Sequence, residues 1–240
     1  MKALIIVFLV ALVAGFGQAL SGFGYAIIIM ALLPLALPAQ LCPVIAILGG
    51  FFINIPMLIR YRSHLQLKLI LIPAIFSTMG VLIGLLTDFG IETAVYMRIL
   101  GALLIALSLW FMIFSGKITI PANNISGAIV GSISGLCGAL FAINGPPLVL
   151  YYNEAAKDKE TYMAVLQCVQ AIQAVSIFAA RTVFSLWPAG IVGYLPALIL
   201  GTAIGGVCGK RIFDKMSPAL FNRIIYIVMC VSGLYFIVSA

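Results

Sequence analysis

GFGQALSGFGYAIIIMALLPLALP, residues Gly15–Pro38, is the stretch on which the reading of this chain turns. It is strongly apolar and longer than the roughly 20 residues that one membrane helix needs. Gly15, Gly17, Gly22 and Gly24 interrupt it together with Ser21, and Pro34 and Pro38 close it. In hydrocarbon, backbone N–H and C=O groups without partners are costly. Such an interruption at membrane depth must therefore be buried in protein or line a wet cavity. A weaker copy, GSISGLCGALFAINGPP, stands at Gly131–Pro147. The chain reads as two halves, 1–117 and 118–240, each opening with a broken or re-entrant glycine-rich helix.

Composition sets the solvent. Of 240 residues, 64% are hydrophobic and 8% charged, against about 25% charged in a soluble domain. Such a chain cannot cover a water-facing surface, so it reads as an all-α polytopic membrane protein. The net charge of +7 does not point to nucleic acid. The basic residues fall in short loops between apolar runs, where cytoplasmic loops are Lys/Arg-rich. Eight apolar blocks follow, at 3–37, 41–59, 67–87, 95–115, 124–150, 161–185, 188–209 and 217–239. Lys2 and the apolar Ala3–Ala14 look like the start of a signal peptide. No charge follows until Arg60 and no cleavage site is evident, so the segment reads as retained.

The blocks also match in order. Ser21-Gly22 matches Ser134-Gly135, and Pro34 matches Pro147, 113 positions apart. Arg60 matches Arg181 at 121, and Gly80, Gly84 and Arg98 match Gly205, Gly209 and Arg223 at 125. Charge placement then bears on topology. With eight plain crossings, Arg60, Arg62, Lys68 and Lys117 lie opposite Lys157, Lys159, Lys210, Arg211 and Lys215. If blocks one and five enter and return on one side, these basic loops share a face, with Asp88 and Glu92 opposite and Lys2 and Arg181 as exceptions. The positive-inside rule favours the second arrangement, two inverted repeats.

Polar groups inside apolar blocks need partners. Gln18 lies beside the first break and Asn144 beside the second; Asn54 sits in block two and Gln167, Gln170 and Gln173 in block six. The three-residue spacing of the glutamines makes a slowly rotating helical stripe, expected to form a polar cavity wall facing Asn54. Half-helices starting after Ser21-Gly22-Phe23-Gly24 and at Asn144-Gly145 would aim N-terminal amides at an anion. Candidate anion-binding residues are Gln18, Ser21, Gly22, Gly24, Asn54, Ser134, Gly135, Asn144, Gly145, Gln167 and Gln170. Arg98 and Arg223, matched across the halves, join them because guanidinium grips oxyanions. Gly80, Gly84, Gly201, Gly205 and Gly209 read instead as close helix contacts. Tyr151 and Tyr152 read as interfacial anchors or gates, and Trp110 and Trp187 as aromatic-belt residues.

Enzyme chemistry finds no support. The sole histidine, His64, lies in a basic loop, and no nucleophile, metal or nucleotide motif is present. Cys42, Cys137, Cys168, Cys208 and Cys230 are scattered through apolar runs and read as small hydrophobes. No cofactor is called for. The residues themselves reach an anion-binding secondary transporter, with an anion channel or a non-transporting membrane subunit as the alternatives.

SGFG at Ser21–Gly24 followed by Pro34, and GSISGLCGALFAINGPPLVLYY at Gly131–Tyr152, resemble the sulfite exporter TauE/SafE family. The likeness covers essentially the whole chain, with Asn144 where glycine is often expected. It implies a multi-pass permease of the bacterial inner membrane that exports small sulfur-containing anions such as sulfite, sulfoacetate or related sulfonates. Alternating access around a midplane site is the mechanism expected with it. Proton coupling could run through the substrate itself, since sulfite titrates near neutrality. A homodimer is compatible with the sequence and not required by it.

Overall fold

A computed structural model describes residues 2–21, 24–87, 91–114, 120–212 and 218–239. The described residues form the helices α1 (Lys2–Ser21), α2 (Tyr25–Leu32), α3 (Cys42–Tyr61), α4 (Leu67–Thr87), α5 (Thr93–Phe114), α6 (Asn124–Phe141), α7 (Gly145–Ala155), α8 (Lys159–Val183), α9 (Leu195–Ile212) and α10 (Pro218–Ser239). No strand occurs among the described residues. Seven of these helices, α1, α3, α4, α5, α6, α8 and α9, are long and apolar enough to cross a membrane. The described side chains of α10, Arg223–Ser239, make a shorter apolar run. All eight expected blocks are thus helical, and blocks one and five each resolve into a long helix followed by a short one.

Local sequence explains the breaks. Gly24, the residue before α2, has φ 107, a left-handed conformation that costs glycine nothing and most residues dearly. The C-cap of α6, Ala142, has φ 57, and α7 then opens with Pro146 and Pro147 in its first turn, where proline is tolerated. Both breaks recur at one offset. α1 and α6 end at Ser21 and Phe141, and α2 and α7 begin at Tyr25 and Gly145, each 120 positions apart. The sequence match at 113 is therefore not the structural one. Pro34 lies in a 3-10 turn after α2, whereas Pro147 lies in the first turn of α7.

The chain divides into two compact units that do not coincide with its halves. One comprises Met1–Ile53, Ile91–Ser115 and Pro188–Ala240; the other Asn54–Gly90 and Gly116–Trp187. Each unit takes helices from both halves. The first is built on α1 against α9, with α5 against α10. Gly201, Gly205 and Gly209 lie on the main chain of Phe8, Leu12 and Phe16. Numbers rise together along both helices, so α1 and α9 run parallel. Gly101 and Gly233 place α5 and α10 backbone to backbone, and Ser108 Oγ donates to the Tyr226 carbonyl at 2.7 Å. These two contacts run in opposite order along the helices, so α5 and α10 are antiparallel.

The second unit repeats the parallel pair with α4 against α6. Gly80 lies on Ser132, Gly84 on Leu136, Gly131 on Pro73 and Gly135 on Ser77. The expected packing role of Gly80, Gly84, Gly201, Gly205 and Gly209 is what the helices use. Small residues let backbones meet, which is how helices associate where lipid tails compete for apolar contact.

Within this unit, α6 and α7 form a hairpin whose two ends meet. Tyr151 near the end of α7 lies against Gly127 near the start of α6, and its Oη reaches the Asn123 carbonyl at 3.5 Å. Tyr152 Oη donates to the Leu69 carbonyl at the start of α4 at 3.0 Å. Both tyrosines are buried, so they are packing groups rather than surface anchors. The 3-10 turn Arg62–His64 packs on α8. His64 is close enough to Asp158 to help lower its pKa. The starts of α4, α6 and α8 and the end of α7 therefore lie at one end of the unit.

Candidate functional site: a neutral polar track on α8

α8 is tied down at both ends. Asp158 caps its start, accepting from the Thr161 N–H at 2.7 Å and from Thr161 Oγ1 at 2.9 Å. These bonds, the backbone one first, hold the exposed Asp158 carboxyl below its ordinary pKa. At the other end Arg181 is buried and its Nη1 donates to the Leu186 carbonyl at 3.0 Å. A cation there complements the helix dipole.

Between the ends, Gln167, Gln170, Gln173 and Ser176 recur every three residues. Three residues turn a helix through 300°, so each step shifts the polar group back by roughly 60°. The track therefore winds, and successive rungs meet different helices. Gln170 Oε1 accepts from Asn54 Nδ2 of α3 at 3.2 Å. Gln173 Nε2 donates to Ser134 Oγ of α6 at 2.9 Å, and its Oε1 accepts from Asn144 Nδ2 at 2.7 Å. Ser134 Oγ donates to the Asn144 carbonyl at 2.6 Å, closing a three-membered ring at the α6–α7 break. Ser176 Oγ and Thr78 Oγ1 of α4 lie 3.2 Å apart.

All of these groups are uncharged. Asn54, Ser134, Gln167, Gln170 and Gln173 are buried, and for Asn54, Ser134, Gln170 and Gln173 such burial is tolerated because they are hydrogen-bonded. Gln170 is 5% exposed. Its carbonyl oxygen is engaged by Asn54, and among the described residues no hydrogen bond uses its Nε2. A primary amide nitrogen offers two donors and no acceptor, the chemistry an oxyanion requires. Among the described residues no group of His, Cys, Asp or Glu is arranged to hold a metal.

The helix starts present fewer open N–H groups than the glycine-rich breaks lead one to expect. Of the four leading N–H positions of α7, Asn144 to Pro147, two are prolines without a hydrogen. Gly145 is buried in this first turn. In the other unit, Gln18 Oε1 accepts from the Tyr25 N–H at 3.0 Å, so the first amide of α2 is occupied. Tyr25 Oη is 2.6 Å from Thr202 Oγ1, and its ring fills the space left by Gly49.

The remaining candidates fall in different places. Gly135 lies on the Ser77 main chain, a helix contact, and Gly24 forms the α2 cap. Arg98 and Arg223 are exposed on α5 and α10. Gly22 and the Ser21 side chain, like Asp88, Lys117, Asp214, Lys215 and the Lys210 side chain, lie outside the described residues. Trp187 Nε1 donates to Thr182 Oγ1 at 3.1 Å. Cys42 is buried and Cys208 exposed, so the cysteines are not uniformly core residues. Ser176 extends the glutamine stripe by one rung at the same spacing. The Tyr25–Thr202 pair, 177 positions apart, carries no signal in the sequence.

No curated protein and no solved structure matches this chain significantly. The family model for the sulfite exporter TauE/SafE matches residues 7–236, nearly the whole chain. A helical chain with a buried neutral track, matched over that span, belongs to the sulfite exporter TauE/SafE family.

Proposed function

We propose that this protein is a secondary transporter, working as an exporter, of small sulfur-containing anions such as sulfite, sulfoacetate or related sulfonates. Family membership supports membrane transport of sulfur anions. The observation that carries the anion site is Gln170, a buried amide whose oxygen is held by Asn54. Neutral donors suit an anion that must also leave. They offer hydrogen bonds without the deep electrostatic well of a buried arginine. Gln167, Asn144 and Ser134 complete the wall in the same unit.

The membrane arrangement we infer is two inverted repeats in the inner membrane of a bacterium, with re-entrant broken elements and alternating access. Its support is the α6–α7 hairpin, whose ends meet beside the starts of α4 and α8. Eight plain crossings would set the Arg62–His64 turn and Asp158 on opposite sides. Further support is the recurrence of helix ends at 120 positions for α1 and α6 and at 125 for α5 and α10. Outward movement of an anion is favoured by an inside-negative potential, worth about 2.3 kcal/mol per charge per 100 mV.

The test is purified protein in liposomes, offered sulfite, sulfoacetate, taurine, sulfate and thiosulfate. Saturable flux of one or more of the sulfur anions is the expected result. Flux that does not saturate identifies a channel, and no flux of any anion sinks the carrier reading.

A further inference from the structure

We propose that Gln173 is a positioning residue of this anion site, clamping the α6–α7 break so that the track keeps its donors in place. The proposal rests on the anion-carrier reading above. Its starting point is an N-cap residue that does not cap. Asn144 occupies the N-cap position of α7, where asparagine ordinarily accepts from the second or third helical N–H. Those positions are Pro146 and Pro147, which have no N–H, and Asn144 makes no side-chain cap bond. The sequence Asn-Gly-Pro-Pro thus frees the Asn144 carboxamide for another partner, and that partner is Gln173, at 2.7 Å.

Gln173 answers with both ends of its own amide. Its oxygen accepts from Asn144 and its nitrogen donates to Ser134 Oγ, whose proton goes to the Asn144 carbonyl. The ring joins α6, the start of α7 and α8 through three hydrogen bonds and is fully buried at Gln173 and Ser134. It braces a break that contains the left-handed Ala142. Only a side chain with one donor and one acceptor at carboxamide spacing closes this ring. Leucine supplies neither, and an ionised glutamate supplies acceptors alone. On the same helix, one turn before, lies Gln170, so a loosened α6–α7 break releases the wall opposite the track.

Two variants and two readouts test this. The variants are Gln173→Leu and Gln173→Glu, each accepted only if it purifies as a single species with a cooperative thermal transition. The first readout is hydrogen exchange of peptides spanning residues 138–150. Exchange at Ala142–Gly145 is expected to quicken about tenfold or more in Gln173→Leu, because the buried hydrogen bonds that brace the break are lost. The second is liposome uptake of methanesulfonate, an anion ionised throughout the working pH range. Gln173→Leu is expected to raise KM about tenfold or more with maximal flux held within about threefold. Gln173→Glu is expected to regain affinity as pH falls and the acid protonates, while the wild type shows no such slope, its track having no titratable group. Unchanged exchange in both variants overturns the clamp. Quickened exchange with wild-type KM and no pH slope overturns its link to the anion. A wild type that moves no anion refutes the carrier reading instead, and the exchange arm still decides the clamp.

Discussion

Gly135 of α6 lies directly on the carbonyl of Ser77 in α4, and a Cβ there would overlap that oxygen. The same contact recurs in the other unit between Gly15 of α1 and Thr202 of α9. Gly15 and Gly135 are 120 positions apart, and Ser77 and Thr202 are 125 apart. Each pair takes one helix from each half of the chain.

This geometry makes glycine to alanine substitutions diverge by position. Gly135→Ala and Gly15→Ala force two backbones apart and are expected to destabilise by about 1–3 kcal/mol. At Gly50 a Cβ would meet nothing nearer than Tyr25 Cδ1 at 3.9 Å. Gly50→Ala is expected to be neutral or to stabilise by up to about 1 kcal/mol, since alanine loses less backbone freedom in a helix. Thermal unfolding of the purified variants in detergent separates the two groups. Equal stability for Gly135→Ala and Gly50→Ala would show that the close contact carries no stability.

Gln170 makes a sharper demand on function than on folding. Replacing it by leucine removes the Asn54 partner and the donor proposed for the anion. Flux at saturating substrate is expected to persist while KM rises about tenfold, equivalent to about 1.4 kcal/mol of lost binding. Gln170→Glu is expected to bind worse, because a carboxylate repels the anion, and to recover as pH falls. Wild-type KM in both variants would remove Gln170 from the site.

The proposed one-sided placement of the basic loops is open to chemical labelling. In a variant whose native cysteines are replaced, single cysteines at Ser63 and Lys157 are expected to react with a membrane-impermeant thiol reagent from the same side. The contact of the Arg62–His64 turn with α8 motivates this pairing. Labelling from opposite sides would restore eight plain crossings.

Asp158 links pH to the start of α8. Its carboxyl is held below the ordinary range by the Thr161 amide, then by the Thr161 hydroxyl. A depressed pKa in the folded state means the carboxylate is favoured by folding. The contribution is present in full above the unfolded aspartate's pKa of about 3.9 and is lost as pH falls through the folded value. Asp158→Ala is expected to lower the unfolding temperature at neutral pH, with the difference from wild type shrinking in acid. A difference that stays constant down through that range would assign the effect to something other than ionisation.

Much of this protein was determined by sequence alone. Low charge and eight apolar blocks dictate membrane helices, because no other element satisfies its own backbone in lipid. Glycine at Gly24 and the paired prolines after Asn144 mark both breaks, since each restricts φ or removes a donor locally. The glutamine spacing on α8 was equally legible, being a property of one helix. What the tertiary structure decided was everything that depends on partners distant in the chain. The true offset between the breaks is 120, not 113, because packing of Gly15 and Gly135 rather than similarity of letters sets the equivalence. Gln170, Gln173 and Ser176 do not share one partner helix. From Gln170 to Ser176 each step of the winding track reaches a different helix, and only the positions of α3, α4, α6 and α7 around α8 determine which rung meets which group. Asn144 reads in sequence only as a polar residue beside the break; the approach of Gln173 makes it part of a ring, because a side chain's hydrogen bonds follow the neighbours that folding brings to it.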